Sequence, residues 1–395
     1  MIELLAPAGN VSKLKTALYF GADACYLGGK LFSLRSLADN FTDEELKNAV
    51  DYAHTLGKKV YVTANIFAKN GDFAALERYA KYLSSIGADA VLVSDPGVVY
   101  CMKNAAPALT LHLSTQANTT NVMAVKFWKE QGISRVVLAR ELSLKEIKEI
   151  HDAVPDVELE AFVHGAMCIS YSGRCLLSDY LDGRESNRGA CVQACRWQYD
   201  IRKSGVGEDG GYLSVEETER GTFFLNSKDL NMAAHLDEMK EAGICSFKIE
   251  GRMKSEYYLA TVVNAYRRAF DEGYSEAVER ELLCAAHRDY TTAYLLGENK
   301  KTVNYSDSQS KGTCAFIGTV VGKEGDCALV EMRNRFFSSD VLEVLSPTKT
   351  GRFSVGKIVA PNGETTEDAK LVQGIYRIYP PFSLDVGDIL RKRVK

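Results

Sequence analysis

Short apolar runs rich in Val, Ile and Leu recur along the first two thirds of the chain, separated by stretches whose apolar residues return every three or four positions. That alternation marks repeated βα units, in which buried parallel strands are joined by helices that cover the sheet. It predicts strands at Ile2–Ala6, Ala24–Leu27, Val60–Ala64, Ala90–Ser94, Leu109–Leu113, Arg135–Ala139, Val157–Val163 and Ser246–Glu250. Between them, Asp43–Leu56 puts Leu46, Ala49, Val50 and Ala53 on one helical face, and Phe73–Ile86 reads as a helix closed by Gly87. A further helix is expected from about Glu256 to Phe270. About eight such units ending near residue 275 predict a (β/α)8 TIM-like barrel over residues 1–275, with a doubly wound open sheet as the alternative.

Two segments break the rhythm. Residues 165–243 separate the seventh and eighth strands, far beyond the two to six residues typical of a βα or αβ connection, and their polar stretch Ser204–Arg220 reads as an exposed loop or hairpin. After residue 275 a linker or helical segment, 276–311, leads into period-two runs at Ala315–Val321, Asp326–Glu331, Val341–Leu345 and Ser354–Val359. Those runs, punctuated by Gly, Asn, Ser and Pro, predict a small antiparallel β-barrel domain over 312–395.

Composition narrows the class of protein. Hydrophobic residues at 46% and charged residues at 25%, with only 31 Gly and 8 Pro in 395 positions, exclude wholesale disorder and fibrous repeats. No apolar run approaches the roughly 20 residues that a bilayer requires, and the amino terminus carries neither the basic nor the apolar part of a secretory signal. The chain is therefore expected in the cytoplasm, without a membrane partner. Its net charge of −4 means that a nucleic acid must be met by a local basic face.

Four of the ten cysteines fall in the long insertion as C-x6-C-x15-C-x3-C: Cys168, Cys175, Cys191 and Cys195. Clustered thiolates in a chain without a secretory signal point to a metal before a disulfide. Soft sulfur ligands suit Zn²⁺ or an iron–sulfur cluster, and only the second pair has the close spacing usual for a zinc knuckle. The remaining six cysteines sit singly in apolar stretches and read as small buried hydrophobes.

The run Glu160-Ala-Phe-Val-His164-Gly165-Ala-Met-Cys168, continued by Ile-Ser-Tyr-Ser-Gly173-Arg174-Cys175-Leu-Leu-Ser178, resembles the signature of the U32 peptidase family. Leu4 with Ala6-Pro7-Ala8-Gly9, Gly189-Ala-Cys191, and Lys248-Ile-Glu250-Gly251-Arg252-Met-Lys254 are similar to further segments of that family, and the carboxy-terminal part resembles its β domain. Despite the name, the resemblance implies oxygen-independent hydroxylases that hold a [4Fe–4S] cluster on four cysteines, with zinc as the alternative. Family substrates include tRNA wobble uridine, 23S ribosomal RNA and a quinone precursor, with prephenate, a small dicarboxylate, as oxygen donor for the RNA enzymes. One barrel with one β domain is most similar to the tRNA-hydroxylating branch. A peptide hydrolase and a zinc-bearing RNA-binding module are the alternatives.

Other residues fit such a site. His164, just past strand seven, is a candidate general acid/base, and Glu160 shares its face by period two. Each has a structural counterpart, a satisfied histidine and a buried carboxylate–arginine pair. Lys248, Glu250 and Arg252 alternate at the end of strand eight and are expected to face one pocket; Arg252 can fork onto a carboxylate or phosphate, and Lys248 can neutralise one. An internal salt-bridge network is the alternative. Arg174 and Arg188 are candidates for a dicarboxylate or an RNA phosphate, and Gln116, in the polar run after strand five, for a hydrogen bond to substrate. At the carboxy terminus Arg391, Lys392, Arg393 and Lys395 offer a secondary phosphate contact. No G-x-S-x-G elbow supports a serine hydrolase.

Overall fold

Eight parallel strands close on themselves almost in chain order. A computed structural model describes residues 2–34, 39–197, 226–297, 303 and 309–394; the expected hairpin at Ser204–Arg220 lies outside them. Strands β1 (Glu3–Pro7), β2 (Ala24–Gly28), β3 (Lys59–Ala64), β4 (Ala90–Val93), β5 (Leu111–Leu113), β6 (Arg135–Val137) and β7 (Glu158–Ala166) pair in sequence. The insertion supplies β8 (Asp229–Asn231), antiparallel to β7. Strand β9 (Ile244–Ile249) is parallel to both β7 and β1 and closes the barrel. Outside it, β10 (Tyr290–Thr291) lies beside β8.

The strands are buried on both faces, which accounts for their continuous apolar runs. Helices α1 (Val11–Tyr19), α2 (Asp43–Thr55), α3 (Phe73–Ser85), α4 (Pro96–Ala105), α5 (Val122–Glu130) and α6 (Leu144–Ala153) alternate with β1 to β7. Their starts are written locally. Thr42 and Glu45 form a reciprocal capping box on α2, Ser143 and Glu146 another on α6, and Asp95 and Asn121 cap α4 and α5 with their side-chain oxygens. The insertion adds α7 (Leu177–Asp182) and α8 (Leu236–Glu241), and α9 (Glu256–Glu272) and α10 (Glu276–Leu282) follow β9.

Residues 1–11, 23–253 and 287–310 form one compact unit, and residues 12–22, 254–286 and 311–395 the other. The second unit holds an antiparallel sheet built from β11 (Cys314–Glu324), β12 (Cys327–Met332), β14 (Val341–Leu345), β15 (Thr350–Ser354), β16 (Ile358–Val359), β17 (Thr365–Thr366), β19 (Ile375–Ile378) and β20 (Ile389–Arg393). Strands β13 (Phe336–Phe337) and β18 (Asp368–Ala369) pair separately, and β15 and β17 stand at the two ends of the main sheet. Val320, Val330, Met332, Phe336, Leu342, Ile378 and Leu390 are among the residues that make its core.

Of the four cations expected to offer a phosphate contact at the carboxy terminus, Lys395 lies outside the described residues and the other three are paired. Arg391 is buried and forks onto Glu281 of α10, with one contact at 2.8 Å, while Lys392 binds Asp340 and Arg393 binds Glu343 at 2.7 Å. These cations alternate along β20, so what reads in sequence as a free basic tail is a strand whose charges are used within the unit.

Candidate functional site at the mouth of the barrel

The barrel interior carries a polar layer rather than a purely apolar one. From β6, the buried Arg135 guanidinium reaches Glu3 on β1 at 2.5 Å, Glu158 on β7 at 2.7 Å and Glu160 at 3.4 Å. Tyr61 on β3 donates to Glu3, and Ser246 on β9 donates to both Glu3 and Glu160. Lys248, also on β9, donates to Glu160 at 2.6 Å. His112 on β5 lies edge-on to Tyr61, and burial, reinforced by the cations Arg135, Lys248 and Lys59, holds its pKa well below the usual imidazole value. Strand period two thus gathers residues far apart in sequence into one paired network, the arrangement a buried charge requires.

Above this layer opens a cavity whose walls come from the strand ends and from the insertion. Lys248 forms part of its floor, with its ammonium 4.3 Å from the Tyr26 ring centroid. Arg252 is buried and donates to Ser33 at 2.6 Å, to Thr63 at 3.2 Å and to Asn40. Glu250 lies on the wall, 3.8 Å from Arg140, and Tyr26 donates to it. The expectation that Lys248, Glu250 and Arg252 share a pocket is met, although β9 ends at Ile249 and the alternation continues through a turn at Gly251. Gln116 also lines the cavity, where Ser114 donates to it at 2.6 Å.

The insertion is held over this mouth by specific bonds. Glu141, just after β6, accepts from the Ser172 amide at 2.9 Å. Gly173 sits at φ +76°, and a Cβ there would lie 2.2 Å from the Gln116 carbonyl oxygen, so glycine permits the close approach of the two segments. Farther on, Arg188 donates to the Phe67 carbonyl at 2.7 Å and to Asp72 at 2.9 Å, and Lys69 pairs with Glu185 at 2.7 Å. With these ties in place, Cys168, Cys175, Cys191 and Cys195 all line the cavity as free thiols. Burial pushes the Cys195 thiol up to about 11, with Arg196 opposing and the neighbouring thiols of Cys168, Cys191 and Cys175 adding to the rise. Ser178, itself buried, donates to the Cys191 sulfur at 3.7 Å.

Four expected site residues lie elsewhere. His164 is buried, but it packs against the Tyr290 ring at 5.3 Å and does not line the cavity, because the β7–β9 register shifts between Phe162 and His164 and breaks the simple period two. Arg188 is spent on Asp72 and Phe67, and Arg174 is exposed outside the cavity wall. Glu160 lies one layer below, where it neutralises Lys248 and Arg135. Conversely, Arg140, Asn65, Thr63 and Tyr26 line the cavity without having been singled out. Arg140 stacks over the Phe162 ring at 3.8 Å and donates to the Ala166 carbonyl at 2.7 Å. Its signal was available: it is the first polar residue beyond the apolar run of β6, at the carboxyl end where barrel enzymes place their chemistry.

The family model for peptidase family U32 matches residues 9–305, and that for the family's C-terminal domain matches residues 312–391. The chain belongs to peptidase family U32. Within the family it is 42% identical over 356 residues to tRNA hydroxylation protein P1 of Bacillus subtilis (strain 168), covering 87% of this chain and 83% of that one. It is 37% identical over 408 residues to tRNA hydroxylation protein P of Escherichia coli (strain K12), covering 92% and 90%. It is also 34% identical over 333 residues to the 23S rRNA 5-hydroxycytidine C2501 synthase of the same organism, covering 82% of this chain and 48% of that protein. Among the described residues no helix is long and apolar enough to cross a membrane.

Proposed function

We propose that this U32 chain is an oxygen-independent RNA hydroxylase that forms 5-hydroxyuridine at the tRNA wobble position in the cytoplasm. The observation that carries this reading is the convergence of four insertion cysteines on a cavity whose other wall is cationic and hydrogen-bonding. The names of the relatives supply the reaction class and the RNA substrate.

Cys168, Cys175, Cys191 and Cys195 would hold the [4Fe–4S] cluster. All four thiols line one cavity, and an all-thiolate donor set of this kind suits an iron–sulfur cluster. When bound, it supplies one-electron redox chemistry.

The chain's own residues prepare the rest of the site. Arg252, Arg140 and Lys248 present cationic donors into one cavity, suited to the carboxylates of prephenate as oxygen-donating co-substrate. Glu160 lies beneath, and its contact with Lys248 fixes the ammonium against the Tyr26 face. Glu250 is the carboxylate placed to accept a proton at the mouth, and Gln116 and Asn65 present amides for a base edge. A cysteine hydrolase would need a free Cys168 thiolate beside a base, and His164 does not line the cavity that Cys168 does.

Iron and sulfide analysis with Mössbauer spectra on anaerobically purified protein tests the cluster. About four irons per chain are expected for a [4Fe–4S] site, with a large loss in Cys191→Ser; equal iron in both proteins, or stoichiometric zinc, contradicts the assignment.

A further inference from the structure

Two cysteines outside the site form a pair of their own. Cys284, just past α10, and Cys314, the first residue of β11, lie 30 positions apart in sequence with their sulfurs 3.1 Å apart. Both belong to the second unit and both are buried, Cys284 fully and Cys314 at 9% exposure. The backbone around them is already registered, since the Thr313 amide donates to the Leu283 carbonyl at 3.0 Å and a Cβ on Gly312 would lie 2.6 Å from the Cys284 carbonyl oxygen.

The two sulfurs are not equivalent. Cys284 has the Arg280 carbonyl as acceptor at 3.4 Å, and the Thr313 hydroxyl lies 3.7 Å from its sulfur. The contact between the two sulfurs and the guanidiniums of Arg391 and Arg393 hold the Cys314 thiol low, against its burial and the Glu343 carboxylate; the same contact and burial raise Cys284. An attacking thiolate with a protonated resolving partner in contact favours thiol–disulfide exchange, which also needs access to the attacking sulfur, and Cys314 is the less buried of the two.

We propose that Cys284 and Cys314 are a reversible thiol–disulfide site, oxidised by low-molecular-weight disulfides. The Cys314 thiolate attacks one sulfur of glutathione disulfide and forms a mixed disulfide as one glutathione thiolate leaves. Cys284 then loses its proton to solvent and attacks the Cys314 sulfur, and the second glutathione leaves as thiolate. Two protein thiols are oxidised to one disulfide, one glutathione disulfide is reduced to two glutathiones, and a dithiol reductant reverses the exchange. The bond closes the chain between the end of α10 and the start of β11, which restricts the unfolded ensemble and stabilises this unit. The inference does not depend on the reaction proposed above.

The test uses the full-length chain, reduced and handled anaerobically, exposed to glutathione disulfide, then unfolded and alkylated for peptide mapping without reduction. A Cys284–Cys314 cross-link is expected, reversed by dithiothreitol and accompanied by a higher melting temperature that Cys314→Ser does not gain. Cys284→Ser should stop at one glutathione on Cys314, and Cys314→Ser should leave Cys284 unmodified; Cys284→Ala gives the same reading if the serine variant folds poorly. Both thiols alkylated after oxidation, a cross-link without a melting shift, or glutathione found on Cys284 in place of Cys314 would overturn the proposal.

Discussion

Arg135 is the residue on which the barrel interior turns, because without it Glu3 would keep only the neutral donors Tyr61 and Ser246 among its described contacts, and Glu160 would be left with Lys248. Replacing it by Met removes the only described contact that joins Glu3, Glu158 and Glu160, and breaking a buried ion network in this way costs about 3–5 kcal/mol. The urea midpoint followed by Trp128 fluorescence should fall accordingly, and Glu3→Gln with Glu160→Gln on the Met background should restore part of the loss. An unchanged midpoint in the single variant would show that the network is not a support. His112 makes a pH-dependent contribution in the same layer. Its pKa is depressed in the folded state, so the unfolded chain takes up the proton first and stability falls as pH drops below about 6.5, the ordinary imidazole value. Unfolding measured between pH 7.5 and about 5 should show this fall, and His112→Gln should flatten it.

At the scale of elements, the barrel strands were readable because burial on both faces writes them as apolar runs, and α2, α3 and α9 because their apolar residues return at helical spacing. Strands β8 and β10 were not, since three and two residues held by a neighbouring strand carry no period of their own. The shared pocket of Lys248, Glu250 and Arg252 followed from alternation, whereas His164 was misplaced because a local register shift is invisible to that rule. Arg188 shows the other limit: a cation's partner cannot be read from its own neighbourhood, and here it lies more than a hundred positions away at Asp72. This contact makes Arg188 a staple between the insertion and the start of α3. Arg188→Ala should lower global stability by no more than about 1 kcal/mol, yet increase protease cutting within the insertion and weaken iron retention. Unaltered cleavage would argue that Glu141, Ser172 and Gly173 hold the insertion alone.

For the whole molecule, the pairing of Arg391, Lys392 and Arg393 with carboxylates moves the expected RNA contacts away from the carboxy terminus. Arg393→Gln should therefore change tRNA affinity less than twofold, about 0.4 kcal/mol; a tenfold loss by filter binding at fixed salt would restore the terminal contact. Affinity of the intact chain should still fall with salt, because each neutralised phosphate releases counterions. The central claim, hydroxylation of tRNA by a cluster-bearing U32 chain, is tested most directly by mass spectrometry of tRNA nucleosides from a bacterial strain lacking its own tRNA hydroxylation proteins and expressing this chain or its variants. The account predicts 5-hydroxyuridine or its derivatives with the wild type, none with Cys191→Ser, and none with Arg252→Ala although that variant keeps its iron. Absence of hydroxylated uridine with iron-loaded wild type, or undiminished levels with Cys191→Ser, would contradict it.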